Sequence, residues 1–350
     1  MNIVAKEPQK IDLTTLEQKT INLVVFGHGN VGRVLIDQLF ERKTSLLHRK
    51  HLDIRVVAVA NSKYILLDEK GIKPSWKIDK LKQGGHYTLD DVLCFVKTHQ
   101  LDNLIAIDNT ADSEFTKQYE TLIAKGFHIV SSNKHKNTGT WSDYVKLREV
   151  LLQHNKSYLY ETNVGAGLPL IDTINLLHQS GENITRIRGV FSGSLSYIFN
   201  EYSAKDVGFS SILQKAIQKG YTEPDPREDL CGIDVARKLL ILARELDLKV
   251  ELKDVVVQNL IPKDARNIDK EFFLKNLWQL DSSFLIKKKN LKKNHVLRYV
   301  ADLHGDLSKE DGGKLNVSLQ ETPLNSMLGQ LKGSDSIFEI YTESYGADPI

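Results

Sequence analysis

The sequence has 350 residues, of which 41% are apolar and 26% charged, and its formal net charge is +2. This length exceeds what one hydrophobic core usually serves, so we expect two domains. The balanced charge argues against nucleic acid or a membrane surface as a partner, and the lack of a signal-peptide pattern or an apolar run of ~20 residues predicts a cytoplasmic protein.

The first half of the chain alternates short apolar segments with helical patterns. After an N-terminal extension, residues 1–20, strands are predicted at 21–26, 54–60, 104–108, 127–132 and 157–162. Strands that alternate with helices predict a parallel, doubly wound α/β sheet. Gly126 and Gly181 follow two of the helical patterns, where glycine commonly ends a helix. We therefore assign residues 21–165 to a Rossmann-type domain.

The sequence GHGNVG, residues 27–32, connects the first strand to a helix. It has the G-x-G-x-x-G spacing, in which the first glycine makes a tight turn, the second lets backbone approach a pyrophosphate and the third allows close helix packing. The N-terminus of the helix then faces the anion. We predict a dinucleotide site that involves Gly27, Gly29, Asn30, Val31 and Gly32; the alternative is a plain turn between strand and helix.

The second strand ends in Asn61, Ser62 and Lys63, which we assign to the cofactor cleft. NAD-selective proteins commonly have an acid at this point, where it binds the ribose hydroxyls. Because no carboxylate stands there and Lys63 is cationic, the sequence favours NADP as the cofactor, with NAD as the alternative.

Two further strands end in polar residues. Asn109 and Thr110 follow the third strand, and Ser132 and Lys134 follow the fourth. Ligands bind at the carboxyl ends of parallel strands, so we predict that Thr110, Ser132 and Lys134 contact the cofactor or substrate. Ordinary turn chemistry accounts equally well for Asn109 and Ser132, and an ordinary surface lysine is the alternative for Lys134.

Beyond Gly165 helical patterns mix with antiparallel strands. Helices are predicted at 169–180, 194–203, 211–219 and 229–246, and strands at 185–191, 296–303 and 314–320. The last two strands flank the loop EDGGK and are expected to pair as a hairpin. We therefore predict a second, mixed α+β domain over residues 166–320.

The stretch TEPDPREDLCGIDVARK, residues 222–238, places acids and bases directly before an apolar helix. Pro224 and Pro226 keep the residues before them extended. Asp225 is therefore predicted as the N-cap of a helix that runs through Leu246.

The polar face of this helix carries Asp234 and Lys238 one turn apart. An ordinary exposed ion pair explains this spacing as well as a pocket wall does. The acid-rich loop that carries Glu223 favours the pocket. In a pocket, the lysine could hydrogen-bond a carbonyl or hydroxyl oxygen and transfer a proton while hydride moves at carbon, and the carboxylates could receive an ammonium group.

The most specific features of the sequence are the segments ANSK (60–63), SSNKHKNTG (131–139), ETNVGAGLPLI (161–171), FSGSLSYIFN (191–200) and GYTEPDPREDLCGIDVARKLLILARE (220–245). Through them the chain resembles homoserine dehydrogenases, most closely the dehydrogenase part of bifunctional aspartokinase–homoserine dehydrogenases. The resemblance implies NAD(P)H-dependent reduction of L-aspartate 4-semialdehyde to L-homoserine, on the route to threonine, isoleucine and methionine. It also implies a Rossmann domain joined to a mixed-sheet domain that forms homodimers.

The resemblance assigns roles to charged side chains residue by residue. It implies that Lys238 is the catalytic acid/base, that Lys134 is a second active-site lysine and that Asp229 is an acid close to the reaction. Glu223 and Asp234 match the positions that hold the amino and hydroxyl groups of the substrate. These roles agree with those expected from charge alone.

The resemblance further implies a monovalent cation, usually sodium, bound by backbone carbonyls of the segment ETNVGAGL. The ligands would be Glu161, Val164, Ala166 and Leu168. From spacing alone, the same glycines predict only a crossover between the two domains, and that alternative stays open.

Two alternatives to an active enzyme of this family remain. The chain ends at YGADPI, where the family continues with a strand, a glycine-rich turn and a helix; residues 321–350 are expected to return toward the nucleotide domain without them. A catalytically silent NADP-binding subunit or sensor is therefore the first alternative. The second is a phosphorylating semialdehyde dehydrogenase, which needs a cysteine thiolate. Cys231 argues against it, because it lies inside the predicted helix and not at a helix N-terminus.

Overall fold

The computed structural model describes residues 17–76, 81 and 84–350, so most of the predicted N-terminal extension lies outside the described residues. The chain forms two compact units. The first contains the chain up to Asn133 together with Lys146–Tyr160, and the second contains Lys134–Val145 and Glu161–Ile350. The sequence placed a boundary near Gly165 but did not indicate that Lys134–Val145 belongs to the second unit.

The first unit is built on one sheet. Its strands are β1 (Lys19–Phe26), β2 (Leu52–Ala60), β3 (Ile65–Leu67), β4 (Leu104–Asp108), β5 (His128–Ser131) and β6 (Tyr158–Leu159). They lie in the order β3-β2-β1-β4-β5-β6. Neighbouring strands are parallel except β2 and β3, which are antiparallel. The expected Rossmann-type parallel sheet is confirmed.

Both faces of this sheet pack against apolar side chains, which is why its strands are nearly continuous apolar runs. Successive strand residues point to opposite faces, so β1 supplies Val24 and Phe26 to one core and Leu23 and Val25 to the other. Helices in the described ranges before residue 160 include α1 (Asn30–Lys50), α2 (Leu89–Thr98), α3 (Tyr119–Ala124) and α4 (Trp141–His154).

The second unit combines a sheet with helices. The strands are β7 (Ile184–Val190), β8 (Val256–Val257), β9 (His295–Gly305), β10 (Gly313–Pro323) and β11 (Ile337–Thr342), in the order β11-β7-β9-β10-β8. The helices are α5 (Leu170–Gln179), α6 (Gly193–Ala204), α7 (Phe209–Gln218), α8 (Arg227–Leu230), α9 (Ile233–Arg244), α10 (Lys270–Lys275) and α11 (Asp281–Lys289). β9 and β10 form the expected antiparallel pair, and the mixed α+β architecture is confirmed.

The single helix predicted from Asp225 to Leu246 is wrong. The structure has two helices, α8 and α9, because Gly232 between them has a φ of +76°. A Cβ at Gly232 would lie 2.0 Å from the Tyr299 hydroxyl, so this close approach requires glycine. The N-cap of α8 is Pro226 and not Asp225; the Asp225 carboxylate instead accepts hydrogen bonds from Arg227.

Residues 321–350 belong to the second unit. Their strand, β11, pairs with β7 in the antiparallel sense. The expected return of this segment toward the nucleotide domain stays a prediction. Among the residues that the structure describes, no helix has both the length and the apolar character needed to span a membrane.

Candidate active site

The glycine-rich turn is tightly packed at its first and third glycines and open at its second. Gly27 has a φ of +84°, and a Cβ at Gly32 would lie 2.0 Å from the carbonyl oxygen of Gly27. Gly29, at the N-cap of α1, is different, because a Cβ there would meet no atom within 4 Å. The first and third glycines are therefore required by packing, whereas the second leaves open space beside the helix N-terminus. Asn30 and Val31, on the first turn of α1, are both exposed.

The turn after β2 is held together by the side chain of Asn61. The side-chain oxygen of Asn61 accepts the backbone N–H groups of Lys63 and Tyr64, each over 2.7 Å. Ser62 and Lys63 are exposed. A compact turn without a carboxylate thus presents the Lys63 ammonium at the end of the strand.

A buried carboxylate, Asp108, organises the ends of β4 and β5. Its oxygens accept the Thr110 backbone N–H over 2.8 Å, the Tyr119 hydroxyl over 2.6 Å and the Asn133 side-chain amide over 3.0 Å. Burial raises the pKa of Asp108, and these hydrogen bonds oppose the rise. Sequence reasoning missed this residue, although an acid that closes the apolar strand LIAID was a usable signal.

Asn109 and Ser132 contact each other at the same strand ends. The Ser132 hydroxyl donates to the Asn109 side-chain oxygen over 3.1 Å, a local contact of the kind that turn residues make. The Asn109 side-chain nitrogen, however, is buried and has no hydrogen-bond partner within the described part of the chain. A buried donor beside the glycine-rich turn is suited to an acceptor group on a bound nucleotide.

In the second unit, two lysines flank one carboxylate. Lys238 Nζ lies 2.8 Å from Asp234 Oδ2, and Lys134 Nζ lies 3.6 Å from Asp234 Oδ1. Lys238 also donates to the Phe191 carbonyl oxygen over 2.8 Å. The Lys238 and Lys134 side chains are only 17% and 29% exposed, respectively. The structure thus brings together Lys134, Asp234 and Lys238, as predicted from the charged segment and the family resemblance.

The charges around Asp234 keep it ionised. The Asp234 side chain is 51% exposed, and its partial desolvation acts to raise its pKa. The neighbouring charges of Lys238, Lys134 and Arg237 outweigh this effect, so the pKa lies below its usual value. Both lysines therefore have an anionic neighbour across the ordinary range of pH.

Asp229 belongs to the same unit but titrates differently. Its carboxylate accepts the Ser194 hydroxyl over 2.7 Å and the Glu223 backbone N–H over 2.8 Å. Burial raises the pKa of Asp229; these two hydrogen bonds act to lower it, and the charge of Asp234 raises it further. The Glu223 side chain is exposed. Ser194 and the Phe191 carbonyl were not predicted as site groups, although both lie in the quoted segment FSGSLSYIFN.

The Glu161 loop offers carbonyl oxygens instead of carboxylates. The Glu161 carboxylate caps α5 by accepting the backbone N–H groups of Ile171 and Asp172. The carbonyl oxygens of Glu161 and Leu168 each accept one backbone N–H, whereas no described backbone N–H outside the regular helices and strands donates to those of Val164 and Ala166. Ala166 has a φ of +54°. Carbonyl oxygens are among the ligands that hard cations take in proteins.

Cys231 requires a correction. It lies between α8 and α9, directly before the N-cap of α9, and not inside a helix. Its thiol donates to the Glu228 carbonyl oxygen over 3.1 Å. The predicted helix-interior position, which argued against a cysteine nucleophile, is therefore wrong.

Comparison with known proteins identifies the family. The sequence profile described as homoserine dehydrogenase matches residues 169–349, and that of the homoserine dehydrogenase NAD-binding domain matches residues 27–161. The chain belongs to the homoserine dehydrogenase family. Homoserine dehydrogenases are oxidoreductases that act on a CH–OH group. The first profile includes Glu223, Asp229, Asp234 and Lys238, and the second includes the glycine-rich turn.

Known relatives align with almost the whole of this chain. A bifunctional aspartokinase/homoserine dehydrogenase of Buchnera aphidicola is 38% identical over 95% of this chain, which spans only 40% of the length of that relative. A Candida auris protein described as of unknown function is 27% identical, with a TM-score of 0.80 over 95% of this chain and 91% of its own. A hyperthermophilic archaeal homoserine dehydrogenase in complex with NADPH shares the fold, with a TM-score of 0.68 and 20% identity over 95% of this chain and 90% of its own.

Proposed function

We propose that this chain catalyses the reversible, NAD(P)H-dependent reduction of L-aspartate 4-semialdehyde to L-homoserine. The observation that carries the proposal is the pair of lysines on the Asp234 carboxylate, in a chain of this family. When bound, the nicotinamide cofactor supplies the hydride to the aldehyde carbon and accepts it in the reverse direction.

Lys238 is suited to transfer the proton. An ammonium group has three N–H donors, and those of Lys238 reach the Phe191 carbonyl and the Asp234 carboxylate. The remaining N–H is available for the substrate oxygen. In the reduction Lys238 protonates the alkoxide that develops as hydride arrives, and in the oxidation the neutral amine accepts the hydroxyl proton.

Lys134 contributes a second positive charge near the same oxygen. Two ammonium groups close together repel each other, and the carboxylate of Asp234 between them offsets this repulsion. A fixed pair of cations stabilises the negative charge that forms on the substrate oxygen during reduction.

The remaining carboxylates are suited to the amino end of the substrate. Glu223 is exposed, and its carboxylate has no partner among the described side chains, whereas Asp229 is held by Ser194. We assign Glu223 to the substrate ammonium group, and Asp229 to a position close to the reacting atoms.

NADP is the proposed cofactor. The open space at Gly29 and the Lys63 ammonium after β2 support a pyrophosphate and a 2′-phosphate, respectively. The NADPH bound by the archaeal relative supports the same class of cofactor. Asn61, Ser62, Thr110 and Ser132 stay predicted cofactor contacts.

A sodium ion in the Glu161 loop is part of the proposal. The carbonyls of Val164 and Ala166, to which no described loop N–H donates, support it. Those of Glu161 and Leu168 would complete the ligand set, although each also accepts one backbone N–H. We expect sodium chloride to raise the temperature of thermal unfolding above that in choline chloride at equal ionic strength. Equal unfolding temperatures and equal activity in the two salts would remove the cation from the proposal.

We further propose that the chain forms a homodimer in the cytoplasm. Its reaction would lie on the route to threonine, isoleucine and methionine. The dimer is supported only by the family resemblance, which implies that the mixed-sheet domain forms homodimers. Light scattering of the purified chain tests it, with twice the chain mass as the expected result.

The activity is tested by mixing the chain with L-homoserine and NADP at alkaline pH, which favours oxidation. We expect the absorbance of reduced nicotinamide to rise, and D-homoserine is the matched control. No finding favours the catalytically silent alternative. Absence of turnover, with NADPH binding intact by fluorescence, would establish that alternative and overturn the proposed function.

A further inference from the structure

Arg244, the last residue of α9, is a buried cation. It is only 1% exposed. Its guanidinium donates to the carbonyl oxygens of Asn137 over 2.8 Å, Gly139 over 3.0 Å and Val250 over 2.9 Å, and it lies 3.2 Å from the Glu251 carboxylate. An arginine is buried at this depth only when its donors are satisfied, and here carbonyls of the loop after Lys134 satisfy two of them.

Aromatic side chains of the same segment complete the contact. The guanidinium carbon lies 5.0 Å from the centre of the Tyr144 ring and 5.7 Å from that of Trp141, within the range of cation–π attraction. The Tyr144 hydroxyl donates back to the Arg244 carbonyl oxygen over 3.3 Å, and the Trp141 backbone N–H donates to Glu251 over 2.9 Å. Arg244 is therefore the centre of the attachment of Lys134–Val145 within the second unit.

Hydrogen bonds connect Lys134, the first residue of the segment Lys134–Val145, to the part of the segment whose carbonyls Arg244 binds. The backbone N–H and the hydroxyl of Thr138 both donate to the Lys134 carbonyl oxygen, over 3.1 Å and 3.0 Å. Thr138 stands between Asn137 and Gly139, whose carbonyls Arg244 holds. The position of the Lys134 backbone thus follows from the position of the anchored carbonyls.

Helix α9 contacts the segment at both of its ends. Asp234, on its first turn, faces the Lys134 ammonium, and Arg244, at its last residue, binds the loop that follows. A partly exposed ion pair at 3.6 Å contributes little by itself and does not fix a loop. The buried guanidinium, with several charge-assisted hydrogen bonds, is the stronger attachment.

We propose that Arg244 is a positioning residue, which sets the place of the Lys134 ammonium on the Asp234 carboxylate by holding the carbonyls of Asn137 and Gly139. The inference rests on the proposed function, because Lys134 acts there as the second cation. Arg244 itself touches neither substrate nor cofactor in this scheme.

The test is a double-mutant cycle on turnover between Arg244→Met and Lys134→Met. If Arg244 acts through Lys134, Arg244→Met lowers kcat by about 10-fold or more in the wild-type background and by less than about 2-fold in the Lys134→Met background. The KM for NADPH stays unchanged, and Arg49→Met is the exposed-arginine control. Equal losses in both backgrounds would show a general structural role and overturn the inference.

Two further variants allow the inference to be tested if Arg244→Met does not fold. Arg244→Lys keeps the charge and loses the planar fork, so it should restore only part of kcat. Thr138→Val removes one hydrogen bond to the Lys134 carbonyl from a half-buried site. If neither Arg244 variant folds, Thr138→Val provides the test. If this variant lowers kcat by the same factor in the wild-type and Lys134→Met backgrounds, the inference is rejected.

Hydrogen exchange separates this inference from the proposed function. Arg244→Lys should speed exchange of the Thr138 amide, while amides of α5 keep their wild-type rates. An inactive wild-type chain with faster Thr138 exchange in the variant would overturn the proposed function and leave the anchoring intact. Unchanged Thr138 exchange would overturn the anchoring whether or not the chain is active.

Discussion

The hydroxyl of Ser194 donates a hydrogen bond to the carboxylate of Asp229 over 2.7 Å. This bond favours the ionised carboxylate, whereas burial favours the protonated one and raises the pKa of Asp229 above its usual value. The pKa of Asp234 is shifted in the opposite direction, because the charges of the neighbouring lysines outweigh the partial desolvation of this half-exposed carboxylate. As the pH falls, Asp229 therefore gains a proton before Asp234 does.

Ser194→Ala should move the acid limb of the pH profile. Loss of the hydrogen bond raises the pKa of Asp229 further, so the fall in kcat/KM at low pH should begin at a higher pH than in the wild-type chain. The measurement is kcat/KM between mildly acidic and neutral pH. Ser210→Ala removes a similar bond, to Asp281, and should leave the limb in place. An unchanged or lowered limb in Ser194→Ala would exclude Asp229 as its origin.

Lys238→Met should abolish most of the turnover without loss of cofactor binding. Removal of the proton donor and acceptor lowers kcat by about 100-fold or more, whereas the nucleotide contacts predicted on the first unit stay intact. Steady-state kinetics and NADPH fluorescence measure the two effects. Lys249→Met, at an exposed lysine, is the control, and full activity in Lys238→Met would remove Lys238 from the mechanism.

We expect Gly32→Ala to lose stability and Gly29→Ala to lose NADPH affinity. A methyl group at Gly32 meets the Gly27 carbonyl oxygen, so this variant should lose about 2 kcal/mol of stability. A methyl group at Gly29 meets no protein atom within 4 Å, so that variant should keep its stability and lose NADPH affinity. Urea unfolding and fluorescence titration distinguish them, and the same loss of stability in both variants would contradict the geometry.

Lys63→Met should weaken NADPH binding and leave NADH binding unchanged. Loss of one charge-assisted contact with the 2′-phosphate corresponds to an increase in Kd of about 10-fold. Titration with each nucleotide measures the ratio, and Lys70→Met, also exposed on the first unit, is the control. Equal effects on both nucleotides would place Lys63 away from the 2′-phosphate.

The elements that local pattern dictates were predictable from the sequence. The apolar run of β1 with its glycine-rich turn and the pairing of β9 with β10 depend on neighbouring residues, and both are confirmed. The approach of Asp234 and Lys238 follows from helical spacing in the same way.

The features that sequence reasoning missed depend on contacts between distant residues. The break at Gly232 is required by Tyr299, which no local pattern connects to it. The role of Asp108 depends on Asn133 and Tyr119, which approach it only when the strands are side by side. Arg244 has the same origin, since its partners lie on another part of the chain.

Helix α4 begins within the stretch that belongs to the second unit, at Trp141, and continues into the first, at Lys146. A gene fragment that stops after Tyr160 would therefore encode Trp141 and Tyr144 without the guanidinium that their rings cover. Dividing the gene at a single position therefore does not yield either unit intact. Chimeras with a relative should exchange residues 134–145 together with residues 161–350, which contain Arg244.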